Sequence, residues 1–307
     1  MTSRPQPHVP ILLYHRVVPD LMDPTLDCYR LLQIAISQTA FEKQMLYLCA
    51  NHTVIRLREF VSALTTHQPI PDNACVLTFD DSYRDHYRYT YPILKRLGLT
   101  ATFFIESGHT AESGQIRFLD RYYYLLDHSP RPSFTLPFSD GKRLDSPLNL
   151  FSKMTLVQES GLKQFLKQSD PITQDKILNQ LEDALDLHID AHALGQELYL
   201  SIPEMQEMVQ NGMELGAHTI HHPSLLHVNI ETARNEIFAS GDFAQQLNKT
   251  DTVAFAYPFG EGSNSPSLRR LIRDYGYYAA CTTVAGLNSY DTNPQQLKRL
   301  VMVEDTM

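Results

Sequence analysis

At 307 residues the chain is long enough for one large domain or two modest ones, and 43% hydrophobic against 20% charged residues excludes a disordered or fibrous chain. A formal net charge of -9, from 26 Lys and Arg against 35 Asp and Glu, argues against a broad nucleic-acid-binding surface. Cys28, Cys49, Cys75 and Cys281 form no CxxC pair, so neither a zinc knuckle nor a disulfide framework is expected.

The opening MTSRPQPHVPILLYHRVVPD holds an apolar run too short for a signal core and broken by His15 and Arg16. No stretch approaches the ~18 consecutive apolar residues of a spanning helix. The expectation is therefore a cytoplasmic protein without a transmembrane segment, with an exported protein whose signal has been removed as the alternative. Nothing in the sequence speaks to oligomeric state.

In chain order, VPILLYHRV (9–17) reads as a strand, FEKQMLYLCA (41–50) as a helix, TVIRL as a strand and EFVSALTTH as a helix. CVLTFDD (75–81), a helical YPILKRLG stopped by Gly98, and TATFFIES (100–107) continue the alternation. Such alternation is the mark of a parallel sheet.

From about 110 to 198 the rhythm changes. An aromatic FLDRYYYLL and a Pro-rich stretch from Ser129 to Phe138 lead into long helical patterning, which reads as a largely helical insertion within one domain spanning 1–307. The helix SIPEMQEMVQNG (201–212) follows, with Ser201 as N-cap, Pro203 in its first turn and Gly212 as its stop. MELGAHT, a helix from Ile230 to Leu247, TVAFAYP, a helix from Pro266 to Tyr275, and YYAACTT restore the rhythm. About seven strands can be counted, without internal repeats or a long linker.

Two segments carry chemistry. TFDD (Thr78 to Asp81) sets two adjacent carboxylates at the C-terminal end of an apolar strand, where α/β folds place their sites. Adjacent side chains diverge, so one can ligate a cation while the other takes a proton from the water bound to it. HTIHHP supplies His218, His221 and His222 after a later strand, and Pro223 biases His222 toward an extended conformation. On spacing alone His221 could replace either neighbour. Two His and one Asp form a common three-ligand set that leaves positions open for water and substrate.

These residues resemble the NodB-homology polysaccharide deacetylases, carbohydrate esterase family 4. Thr78 to Asp81 is similar to the family's first motif, with Ser82 where Gly is usual, and His218, Thr219, His222 and Pro223 are similar to its second. YRDHYRYTYPILKRLGLTATFFIESG and LSIPEMQEMVQNGMELGAHTIHHPSL resemble the flanking stretches, whereas the 110–198 segment does not. The resemblance implies a distorted (β/α) barrel of about seven parallel strands. It also implies a divalent metal, zinc with cobalt or nickel as alternatives, on Asp81, His218 and His222, with Asp80 as the base and an N-acetylated glycan as substrate.

Two family features are missing. The third motif usually opens with Arg, which orients the catalytic Asp, whereas this chain has Ala256, Tyr257, Pro258, Phe259 and Gly260. Arg299 is the candidate replacement, and the Phe259 backbone N–H still suits an oxyanion, with Tyr257 and Pro258 beside it. No His follows His227, so the usual C-terminal general acid is absent. LLYHRV resembles the first strand of the poly-β-1,6-N-acetylglucosamine deacetylase branch and makes His15 the expected acid. The alternatives are a non-sugar C–N amidohydrolase on the same scaffold and a carbohydrate-binding relative with impaired catalysis.

Overall fold

The computed structural model describes residues 7–20, 28–137, 143–157 and 161–306. Phe138, at the end of the Pro-rich stretch, and residues 1–6 of the N-terminal segment lie outside the described residues. In chain order the strands are β1 (Ile11–Tyr14), β2 (Arg16–Val18), β3 (Ala35–Ser37), β4 (Thr53–Val54), β5 (Ala74–Phe79) and β6 (Thr102–Ile105). β7 (Ser133–Pro137), β8 (Arg143–Pro147), β9 (Glu214–Ala217), β10 (Ala254–Ala256), β11 (Ala279–Cys281) and β12 (Leu300–Val301) complete them.

Seven parallel strands run in the order β11-β10-β9-β6-β5-β1-β12, with β4 paired to β5, and curve into a half-barrel. Parallel strands buried on both faces lose the alternating pattern of a one-sided sheet. β5 shows this, since all six of its residues are buried. β1 lies between β5 and β12, so it is paired on both edges, with Leu12 opposite both Leu77 and Leu300.

Local chemistry sets the helix ends. Ser201 accepts from the Glu204 N–H while Glu204 reaches back to the Ser201 N–H, a reciprocal cap for the helix Ile202–Gln210. Gly98 closes Tyr91–Leu97 in a left-handed conformation. The helices Ile230–Asn248 and Pro266–Tyr275 lie where the apolar periodicity predicts them.

The 110–198 segment adds its own core beside the barrel. Phe118, Leu119, Tyr122, Leu125 and Leu126 of the helix Phe118–His128 bury against Leu178, Leu181 and Leu185 of the helix Pro171–Leu185. The Pro-rich stretch is not irregular throughout: β7 pairs with β8 as an antiparallel hairpin, and its residues alternate between exposed and buried. Proline is tolerated there because Pro137 and Pro147 stand at strand ends in a two-stranded ribbon. A second small sheet, β2 with β3, is also absent from the strand count made from sequence.

Candidate active site

Parallel packing of β1, β5, β6, β9 and β10 brings five loops to one rim of the sheet. His15 follows β1, Asp80 and Asp81 follow β5, Glu106 follows β6, His218 follows β9, and Phe259 lies just beyond β10. His15, Asp80, Asp81, His218, His222, Tyr257 and Phe259 line one cavity of about 290 Å³, together with Arg117 and Tyr123 of the inserted segment. Pro258 is buried but is not among the lining residues, and the Tyr257 hydroxyl donates to the Gln295 carbonyl at 3.3 Å.

Asp81 Oδ1 stands 3.5 Å from His218 Nε2 and 3.5 Å from His222 Nε2. Bonds of ~2.0–2.2 Å in a tetrahedral site put neighbouring ligands about 3.4 Å apart, so these three donors fit corners of one coordination shell. His218 Nδ1 lies 2.8 Å from the Ala256 carbonyl oxygen, an orientation that turns Nε2 toward Asp81. His222 Nδ1 is buried and finds no hydrogen-bond partner among the described residues. A zinc-like ion is thus compatible with the donor chemistry and spacing.

Asp80 faces a fully buried Arg299, which donates Nη1 to Oδ1 and Nη2 to Oδ2, both at 2.7 Å. Arg299 immediately precedes β12, and the pairing of β12 with β1 delivers it beneath the carboxylates. Burial raises the Asp80 pKa, but Arg299, then His218 and His15, outweigh it and hold the carboxyl below the ordinary range. Asp81 is treated the same way: burial raises it, and Arg117 with His218, His222 and His15 depresses it well below that range.

His15 lines the cavity, its Nδ1 is buried without a partner among the described residues, and its carbonyl accepts from His86 Nε2 at 2.5 Å. Burial lowers the His15 pKa more than Asp81 and Asp80 raise it, so its resting form is the neutral imidazole. His221 is half-exposed and turned away, with Nδ1 2.8 Å from Glu236 Oε1 and its N–H donating to the same carboxylate. It does not join the ligand set.

The backbone here is unusual. Asp81 (φ 84°), Ser82 (56°), Thr219 (69°), His222 (54°) and Phe259 (57°) are all left-handed, a region that costs non-glycine residues about 1–2 kcal/mol each. For His222 this corrects the expectation from Pro223 of an extended conformation: the steric rule disfavours the right-handed helical region, and the chain turns left-handed instead. The Thr219 hydroxyl helps fix that turn by accepting from the His222 N–H at 3.0 Å.

Ser82 shows what replaces the usual glycine. Its Oγ accepts from the Glu106 N–H at 2.6 Å in the interior. Ser82→Ala is expected to cost about 1–3 kcal/mol in denaturant unfolding, since a buried donor loses its acceptor while the strained φ remains. Ser82→Gly should cost about 1 kcal/mol less, because glycine relieves the strain. Equal losses for the two variants would refute the assignment of strain to this position.

Glu106 and Arg117 escape a reading of motifs. Arg117 Nη1 lies 2.8 Å from both Asp81 Oδ1 and Glu106 Oε1, and its Nε and Nη2 reach Asp120 at 3.1 Å. Tyr29, Tyr83 and Tyr199 donate to the same Asp120. Glu106 Oε2 lies 2.5 Å from His109 Nδ1. Burial pushes Glu106 up to about 8 against the opposing pull of Arg117. An apolar strand running straight into a glutamate, TATFFIE, was the available signal for Glu106; Arg117 had none.

A polysaccharide deacetylase family model matches residues 67–123 and 172–280, and the unmatched 124–171 fall inside the inserted segment. "Putative polysaccharide deacetylase YxkH" of Bacillus subtilis is 32% identical over 95% of this chain and 70% of its own length. Among solved structures, the Streptococcus pyogenes deacetylase PplD in complex with acetate aligns with TM-score 0.64 at 19% identity, covering 98% of this chain and 95% of that one. IcaB from Ammonifex degensii aligns with TM-score 0.59 at 17% identity, covering 97% and 93%. At these identities the solved structures speak to the fold alone.

Proposed function

This chain belongs to the polysaccharide deacetylase family, and from that membership we propose that it removes N-acetyl groups from an N-acetylhexosamine glycan by metal-dependent hydrolysis, with Asp81, His218 and His222 holding the ion. The observation that carries the reading is the Arg299–Asp80 fork set directly beside the three donors. A zinc-like ion bound there supplies Lewis-acid polarisation of a water and of the amide carbonyl. Asp80, ionised and locked in place by Arg299, takes the proton of the attacking water. The Phe259 N–H donates to the amide oxygen as negative charge develops on it.

His15 returns a proton to the departing sugar amine. Because its resting form is neutral, that proton has to arrive during turnover, and the water proton collected by Asp80 is the one the reaction itself supplies. His15 on the first strand also supports placing the chain with the poly-β-1,6-N-acetylglucosamine deacetylase branch.

The test measures acetate release from β-1,6- and β-1,4-linked N-acetylglucosamine oligomers and from a panel of cyclic amides, before and after chelation. We expect release from the β-1,6 oligomers, its loss with chelator and its recovery with added zinc. Turnover confined to the cyclic amides would move the assignment to a non-sugar amidohydrolase, and glycan binding unaffected by chelator without any acetate would mark a binding protein. His218→Ala is expected to lose bound zinc and acetate release together; retention of one zinc per chain by metal analysis would remove His218 from the ligand set.

A further inference from the structure

Glu106 poses a problem that the proposed reaction leaves unsolved. A ligand atom of this fully buried carboxylate lies within 4.8 Å of the Asp81, His218 and His222 donors, yet catalytic zinc sites use three protein ligands and keep a position open for water or substrate. Two ligands of one such ion stand at most about 4.3 Å apart, twice a bond of ~2.0–2.2 Å. Glu106 thus lies no more than about half an ångström beyond that limit, on a side chain with rotatable bonds, and a divalent cation would attract it.

Both of its oxygens are engaged elsewhere. Arg117 Nη1 bridges Glu106 Oε1 to Asp81 Oδ1, and His109 Nδ1 meets Oε2. Arg117 itself cannot yield easily. It is 3% exposed, bonded to Asp120 through Nε and Nη2, and Asp120 is fixed by three tyrosine hydroxyls.

Charge explains why a carboxylate is kept so close without being a ligand. Asp80, Asp81, Glu106 and Asp120 are four buried acidic side chains set against the buried Arg117 and Arg299, so a divalent ion would enter surroundings in which acidic groups outnumber basic ones.

Resting on the reading that Asp81, His218 and His222 hold a metal, we propose that Arg117 is a positioning residue that restrains Glu106 from the ion and so keeps a coordination position open for water and substrate. The inserted segment thereby contributes directly to the chemistry of the barrel rim, since Arg117 precedes its first helix.

The test follows zinc transfer from the full chain to a chromogenic chelator. Glu106→Gln alone should change zinc retention by less than fivefold. Arg117→Met should hold zinc at least tenfold more strongly, with its cobalt-substituted form losing visible absorption intensity as the coordination number rises, and adding Glu106→Gln should cancel that gain. Weaker or unchanged retention in Arg117→Met overturns the proposal. So does a loss of fivefold or more in Glu106→Gln, which would make Glu106 a ligand already.

If Arg117→Met does not fold, Arg117→Lys, which keeps the charge but cannot bridge both carboxylates and Asp120, decides the matter. Retention at least threefold above wild type supports the restraint, and anything less overturns it. A wild-type chain that holds no zinc at all would remove the underlying metal reading and this proposal with it, whereas the other negative results leave that reading standing.

Discussion

Asp80→Asn is expected to lower acetate release by about 10²–10⁴-fold, the usual worth of a positioned general base, while zinc remains bound on Asp81, His218 and His222. An amide of the same shape cannot take the water's proton. The substitution also leaves a fully buried Arg299 facing a neutral partner, so a loss of stability should accompany the loss of rate. Metal analysis and a thermal melt at the assay temperature separate the two effects. A variant that is folded, zinc-loaded and still turning over at near-normal rates would show that Asp80 is not the base.

Removing the other half of the fork should be the most damaging change to the fold. Arg299→Met strands a buried carboxylate, and breaking a buried ion pair from one side costs about 3–5 kcal/mol. The effect should depend on pH in a defined direction. In the native protein the Asp80 carboxyl sits below its ordinary value, so it contributes stability above the ordinary carboxylate pKa, and that contribution is lost as pH falls through its folded pKa. Without Arg299 the desolvation of Asp80 is less opposed and its pKa rises.

The stability gap between variant and wild type should therefore be widest near neutral pH and narrow on acidification, as the variant's Asp80 takes up a proton. By the same logic the acid limb of kcat/KM should move to higher pH in the variant. Denaturant unfolding at pH 7.5 and pH 5 checks the first statement. A gap that stays constant would mean that Arg299 acts through packing and not through Asp80.

Much of the architecture was legible because it rests on periodicity. Buried strands such as CVLTF and helices with marked ends, such as Ser201 to Gly212, announce themselves locally. Adjacent carboxylates and clustered imidazoles marked the segments that hold Asp80, Asp81, His218 and His222, while only the family resemblance set His218 and His222 apart from His221. Arg299 could be named because the family resemblance implied a missing arginine and this one lies near the last strand, although only the pairing of β12 with β1 explains how it reaches Asp80.

What was hidden depends on long-range packing. Arg117 precedes an aromatic run that reads as core, and its role emerges only when that helix docks against the loops after β5 and β6. His222 defied the reading from Pro223 because a hydroxyl three residues earlier holds the turn. The hairpin in the Pro-rich stretch could have been found by weighing the alternation of Ser133 to Pro137 above its prolines.

The position of β1 has a bearing on how the chain reaches its native state. Leu12 is paired with Leu300, so one edge of β1 finds its partner only after all the sequence between them has been made. Contacts this distant in sequence carry a large loop-closure entropy and slow folding. During synthesis one edge of β1 must wait unpaired, and the guanidinium that locks Asp80 arrives together with β12. The core can begin to condense early, but a nascent chain that has not yet reached Arg299 would carry an incomplete reaction centre.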